Sequence, residues 1–237
     1  MMKMTILAPR RPDFTHEQFR AYLMDVHAPL VRSITEVAAD IRRYVYNFPV
    51  AGASDTAFGH PLADLDVVTQ GTFDSREAQL KNMEHPRFMT HLRPDEGNFA
   101  DTARALMHYT DQVEIIPGPD TPLKIFWFRR RRDGLDRHTF QTRWAEEFPA
   151  ALAGIPGVDQ VVSRYTQNHV QAEANHPDGA NPKFYDVIDE LWLSGLDGLA
   201  RLGADDRSAA TISQVESSLL ETSRTRALVT ESIVNIG

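Results

Sequence analysis

The chain has 237 residues, 42% apolar and 24% charged, with a formal net charge of −8 and no cysteine. That length and composition suit an ordinary soluble protein with a large core, and the missing cysteines exclude disulfides, thiolate metal sites and a cysteine nucleophile. The negative balance argues against nucleic acid as a partner, with Arg129 to Arg132 reading as a strand end; no segment approaches the roughly 18 apolar residues of a membrane span and the N-terminal run is too short for a signal peptide, so no membrane partner and a cytoplasmic location are expected.

Lys3 to Ala8 reads as a short apolar strand. Thr15 followed three residues later by Gln18 is a capping box, which places a helix start there. Phe19, Tyr22, Val26 and Leu30 follow at helical spacing and are expected to face inward. His27 lies on the flank of that face, where a cavity could be lined, and Pro29 is expected to bend the helix just after it. Ile41 to Phe48 is a second strand, and a small-residue loop from Ala51 to Ala63 leads to a third from Leu65 to Phe73. Asp74 and Glu77 resemble a second capping box, opening a helix that runs towards His91. A polar stretch from Pro94 to Asp101 precedes a fourth strand, Ala105 to Ile116, which ends at the turn-rich linker Pro117 to Asp120.

The chain then repeats itself. A shift of 121 pairs Lys3 with Lys124, Arg11 with Arg132, Phe19 with Phe140, Tyr44 with Tyr165 and Asn47 with Asn168; a shift of 120 then pairs Asp66 with Asp186, Glu96 with Glu216 and Thr110 with Thr230. Strands recur near Leu123 to Arg129, Val158 to Asn168, Phe184 to Leu193 and Ala227 to Asn235, with a long hairpin loop from Val170 to Lys183. The period is domain-sized, which divides the chain into residues 1–117 and 121–237. Each half is a βαββαβ unit, whose four-stranded sheet carries both helices on one face. The fold class expected is α+β, with two ferredoxin-like repeats packed sheet to sheet as a barrel within one chain. Because the duplication supplies a partner sheet, a monomer suffices, and further pairing into a homodimer through the helices stays open.

Arg11-Pro12-Asp13-Phe14-Thr15, with Phe19, Tyr22 and the run Val26-His27-Ala28-Pro29-Leu30, resembles the opening signature of the EthD-domain family. The likeness continues through Arg43-Tyr44 and Phe184 to Leu193 into the second half, where Phe148 stands in place of His27, Arg143 in place of Tyr22 and Ala150 in place of Pro29. The resemblance implies the dimeric α/β-barrel superfamily, with a pocket between the helices and their own sheet. The resemblance further implies a small-molecule ligand, no cofactor, and His27 as acid or base in the first half alone. Tyr22 and the strand tyrosines Tyr44 and Tyr46 are then the candidate ligand contacts, the last two sharing a face by the two-residue period.

An imidazole, with an ordinary pKa of about 6.5, exchanges protons near neutral pH, which suits enolisation of a ketone or deprotonation of a phenol. Asp25 faces elsewhere on the helix and is a poor candidate to orient the ring. Together with this chemistry, the resemblance implies one of two functions. One is a cofactor-independent lyase, isomerase or cyclase acting on a small aromatic or polyketide-like molecule; the other is a non-catalytic small-molecule binding or accessory protein of a degradation pathway. His16, His60, His138, His169 and His176 read as solvated, and His108 as packed. His85 and His91 are six apart, too far for two ligands on one helical face, so no metal site is expected. In the last repeat's third strand, Glu190 reads as a hydrogen-bonded structural carboxylate, and Arg11 and Arg132 as anchors of the strand-to-helix turns.

Overall fold

The structure is a computed structural model that describes residues 1–50, 56–57, 60–171, 184–196 and 206–237. The first repeat runs β1 (Met2–Ala8), α1 (His16–Tyr22), a π turn (Leu23–His27), α2 (Ala28–Ser33), α3 (Thr35–Ala38) and β2 (Arg43–Pro49). Two two-residue strands follow, β3 (Thr56–Ala57) and β4 (His60–Pro61), then β5 (Val67–Phe73), α4 (Arg76–Glu84), a second π turn (Phe88–Leu92), α5 (Arg93–Phe99) and β6 (Leu106–Ile116). The second repeat contributes β7 (Leu123–Arg129), α6 (Arg137–Ala153), α7 (Val158–Val161), β8 (Val162–Val170), β9 (Val187–Leu193), α8 (Asp206–Leu219) and β10 (Arg226–Ile236). The long strands close into an antiparallel barrel in the order β1-β5-β2-β10-β7-β9-β8-β6. This is the α+β barrel of two βαββαβ repeats expected from the sequence.

Two compact units make up the chain: residues 1–49, 64–110 and 232–237 form one, residues 50–63 and 111–231 the other. Within the first, Met4 faces Gly71 and Tyr109, and Tyr44 faces Gly71. Within the second, Ile125 faces Leu191 and Val229, and Tyr165 faces Leu191. These are the same pairings displaced by 121 and 120 residues, so the repeat seen in the sequence is also a repeat of strand register. The second unit's core is dense with aromatic rings, Trp127, Phe140, Trp144 and Phe148 among them.

The Thr15 capping box forms as expected, with the hydroxyl accepting from Gln18 N at 3.1 Å and Gln18 Oε1 accepting from Thr15 N at 2.8 Å. The apolar stripe differs. Phe19, Leu23, His27 and Val31 are buried, whereas Val26 is 44% exposed. Residues four apart drift around a regular α-helix of 3.6 residues per turn. The π turn at Leu23–His27, closed by the Ala28 N–H on Leu23 O, takes up that drift and keeps the four on one line. The irregularity therefore precedes Pro29, which sits in the first turn of α2.

The second capping box is displaced by one residue. Ser75, not Asp74, caps α4 through Ala78 N, and Asp74 pairs instead with Arg42. Pro94 opens helix α5 within the stretch read as merely polar, because a proline in the first turn forfeits no helical hydrogen bond. Val158–Val161 is a helical turn rather than the start of a strand. The hairpin loop Val170 to Lys183 falls largely outside the described residues, as do His176 and parts of the Ala51 to Ala63 loop.

Candidate active site

In the first unit, β1, β2 and β5 together with the helical segments around His27 and Leu92 enclose a cavity of about 270 Å³. Its wall is mostly apolar, with Met4, Leu23, Phe73, Phe88 and Phe99 prominent, and His27, Tyr44, Tyr46 and Glu96 bring polar atoms to it. This volume is just below the roughly 300–1,000 Å³ typical of ligand sites, a size suited to one or two rings.

His27 is 6% exposed, and its ring packs on Phe99 with centroids 4.9 Å apart. Its Nδ1 lies 2.8 Å from Asp95 Oδ2. Beside a carboxylate this nitrogen carries the hydrogen, which leaves the Nε2 lone pair for proton transfer. Asp95 is held in turn: Tyr22 donates its hydroxyl to Oδ1 at 2.6 Å, and Asn98 Nδ2 donates to the same oxygen at 3.2 Å. Burial alone would raise the Asp95 carboxyl, but the hydrogen bonds from Tyr22, His27 and Asn98 outweigh it and hold the group below the usual carboxylate range. The bond to Asp95 raises the Tyr22 phenol, so Tyr22 stays a neutral donor.

Tyr22 is thus not among the residues of the cavity wall and acts on Asp95. Tyr44 and Tyr46 share the inner strand face and both line the cavity, their rings 5.3 Å apart edge to face. Burial pushes both phenols up. The Tyr46 hydroxyl, in a residue only 1% exposed, has no hydrogen-bond partner among the described residues. A buried donor of that kind at a cavity wall is available to a ligand oxygen.

Asp95 was not legible in the composition of its stretch, yet the internal repeat carries a trace of it. At the shifts given above, His27 corresponds to Phe148, Tyr22 to Arg143, Asp95 to Val215 and Asn98 to Ser218, so the whole chain of hydrogen bonds is absent from the second half together. There the corresponding space is filled. Arg129, wholly buried, lies over the rings of Trp127, Trp144 and Phe148 at 4.8–5.1 Å. Its guanidinium bonds Asp189 at 3.2 Å and Glu216 at 2.7 Å. Tyr165 and Trp144 also donate to Asp189, whose carboxyl burial pushes up and Arg129 draws back.

Several histidine readings change as a result. His60 is buried, with Nε2 2.9 Å from Glu216 and 3.0 Å from Arg129, and His169 lies in β8, where burial pushes it down to about 4. His108 is buried, as expected. Glu190 is a structural carboxylate, accepting from Asn168 at 2.7 Å and lying 3.4 Å from Lys124. The repeated side-chain anchors are Arg10 with Asp66 and Arg131 with Asp186, one residue before those expected. Arg11 instead pairs with Asp13. Among the described residues no group of three or more His, Asp or Glu is placed to hold a metal ion, and no helix is long and apolar enough to cross a membrane.

The EthD domain pattern matches residues 11–103 and again residues 132–221. The conidial pigment biosynthesis dehydratase EthD of Metarhizium robertsii is 31% identical over 132 residues, spanning 49% of this chain and 90% of that protein. The decarboxylase claH of Passalora fulva is 31% identical over 110 residues, spanning 44% and 71% respectively. Among solved structures, a mutant chlorite dismutase from Candidatus Nitrospira defluvii superposes with a TM-score of 0.51 at 13% identity, covering 97% of this chain and 91% of that one, a likeness of fold alone. With two matched segments spanning most of its length, the chain belongs to the EthD-domain family and carries the domain twice in tandem.

Proposed function

We propose that the first repeat is a cofactor-independent enzyme site of lyase, isomerase or cyclase type, acting on a small aromatic or polyketide-like molecule with His27 as its acid or base. The observation that carries this reading is the hydrogen-bonded chain Tyr22–Asp95–His27 ending at an apolar cavity. Asp95 fixes the ring and offsets the positive charge that His27 gains on accepting a proton; Tyr22 and Asn98 fix Asp95. Tyr46, with Tyr44 beside it, supplies a hydroxyl to an oxygen on which negative charge develops. Proton transfer of this kind needs only side chains of this chain. The relatives named as dehydratase and decarboxylase support an enzyme of this general kind. In this reading residues 1–117 hold the active half, residues 121–237 the half without the histidine, and the protein works in the cytoplasm.

A non-catalytic binding or accessory role is the alternative, favoured by the second half, where the same fold persists without the histidine. The test is mass spectrometric: wild type and His27→Gln are incubated with phenolic, lactone and polyketide-like compounds, and retained ligand and changed product are both recorded. The enzyme reading expects product from wild type and at least a hundredfold less from the variant, with ligand still retained. Retention by both proteins without product supports the accessory role.

A further inference from the structure

Glu96 and Glu216 occupy equivalent helix positions in the two repeats, and among the described residues only Glu216 receives a cation from its own sheet. Glu216 receives the Arg129 guanidinium at 2.7 Å. At the position equivalent to Arg129 the first repeat has Ala8, which lines the cavity, and Trp127 and Trp144 are matched by the smaller Ile6 and Leu23, also in its wall. The cavity is therefore the space that a flat, nitrogen-donating group and its aromatic neighbours fill in the second repeat. Glu96 keeps its place on that wall. Its side chain pairs with Arg93, from the same helix, with Nη1 2.8 Å from Oε2.

We propose, building on the site reading above, that Glu96 selects the ligand by accepting a hydrogen bond from a ring hydroxyl, so that the cavity takes a planar hydroxylated aromatic whose second oxygen meets Tyr46 and His27. The guanidinium of Arg129 shows what the equivalent space accommodates: a flat group with hydrogen-bond donors at its edge and aromatic faces against it. A phenolic ring has the same flatness and, in its hydroxyl, the same kind of edge donor. Burial raises the Glu96 carboxyl and Arg93 draws it back, the balance expected of an acceptor partly removed from water. A neutral ligand with a donating hydroxyl fits beside it better than a carboxylate, which would meet a like charge.

The experiment is a calorimetric titration of 1-naphthol and of 1,3-, 1,5- and 1,6-dihydroxynaphthalene into wild type, Glu96→Leu and Glu96→Gln. At least one dihydroxynaphthalene is expected to bind wild type about tenfold or more tighter than 1-naphthol, because a hydrogen bond to a charged acceptor is among the stronger ones. Glu96→Leu is expected to abolish that advantage while leaving 1-naphthol affinity within a few-fold. Glu96→Gln, isosteric and safe for folding, is expected to reduce it. An equal affinity of wild type for all four compounds, or an advantage that survives both substitutions, overturns the role of Glu96 and leaves the site reading standing. Failure of wild type to bind any naphthol contradicts both.

Discussion

His27 and Asp95 are joined by a 2.8 Å contact; in the function proposed above they work as one unit, and each half of it can be removed separately. Asp95→Asn preserves shape and a hydrogen bond but removes the charge that offsets a protonated ring. We expect kcat to fall on the order of 10²-fold or more with KM within a few-fold, because the protonated ring loses its counter-charge while the cavity is unchanged. A merely structural role would instead lower the unfolding midpoint and leave the kinetics of the folded fraction alone. His27 was legible in the sequence because the signature around it recurs in the second half without it; Asp95 was harder, since it lies 68 residues away in a stretch whose proline and polar residues mimic a loop. His169 makes a separate residue-scale prediction. Its folded value of about 4 lies below its ordinary 6.5, so the unfolded chain binds a proton over that interval and the folded chain does not. The stability it contributes is complete above about pH 6.5 and is lost as pH falls towards about 4. His169→Gln, which keeps a donor for Gln167 Oε1, should flatten the fall of the melting temperature between pH 7 and pH 4.5.

At the level of elements, the sequence was most informative where local chemistry decides the outcome. The Thr15 capping box is local, and Thr15→Ala should cost about 1 kcal/mol, read as a lower midpoint in urea. Strand positions were legible for the same reason, from β-branched and aromatic runs. The two π turns were not. Each precedes a proline, Pro29 or Pro94, and each depends on a hydrogen bond shifted by one residue, which spacing alone does not reveal. Their effect is large for the site: the first turns Val26 outward and His27 inward, and the second leads into α5, which carries Asp95, Glu96, Asn98 and Phe99.

Across the whole molecule, duplication followed by divergence explains why one half holds a cavity and the other a filled core. The second half fills the space equivalent to the cavity with Arg129, Asp189 and Glu216 under three aromatic rings. That cluster is deeply buried, so removing one member strands charge inside the protein. Arg129→Ala should destabilise the fold by about 3–5 kcal/mol, measured by denaturant unfolding, because both carboxylates lose their cation. Neither the burial of Arg129 nor the role of Asp189 was legible in advance; the run of four arginines reads only as a strand end, and the strand register places the first of them inside. The reciprocal substitution asks whether the reaction takes place in the His27 cavity. Ala8→Arg places in the first half the side chain that fills the second, beside Glu96. Turnover and ligand retention should both be lost in the fraction of the variant that remains folded. A folded Ala8→Arg variant that still forms product at the wild-type rate would contradict the placing of the reaction in the His27 cavity.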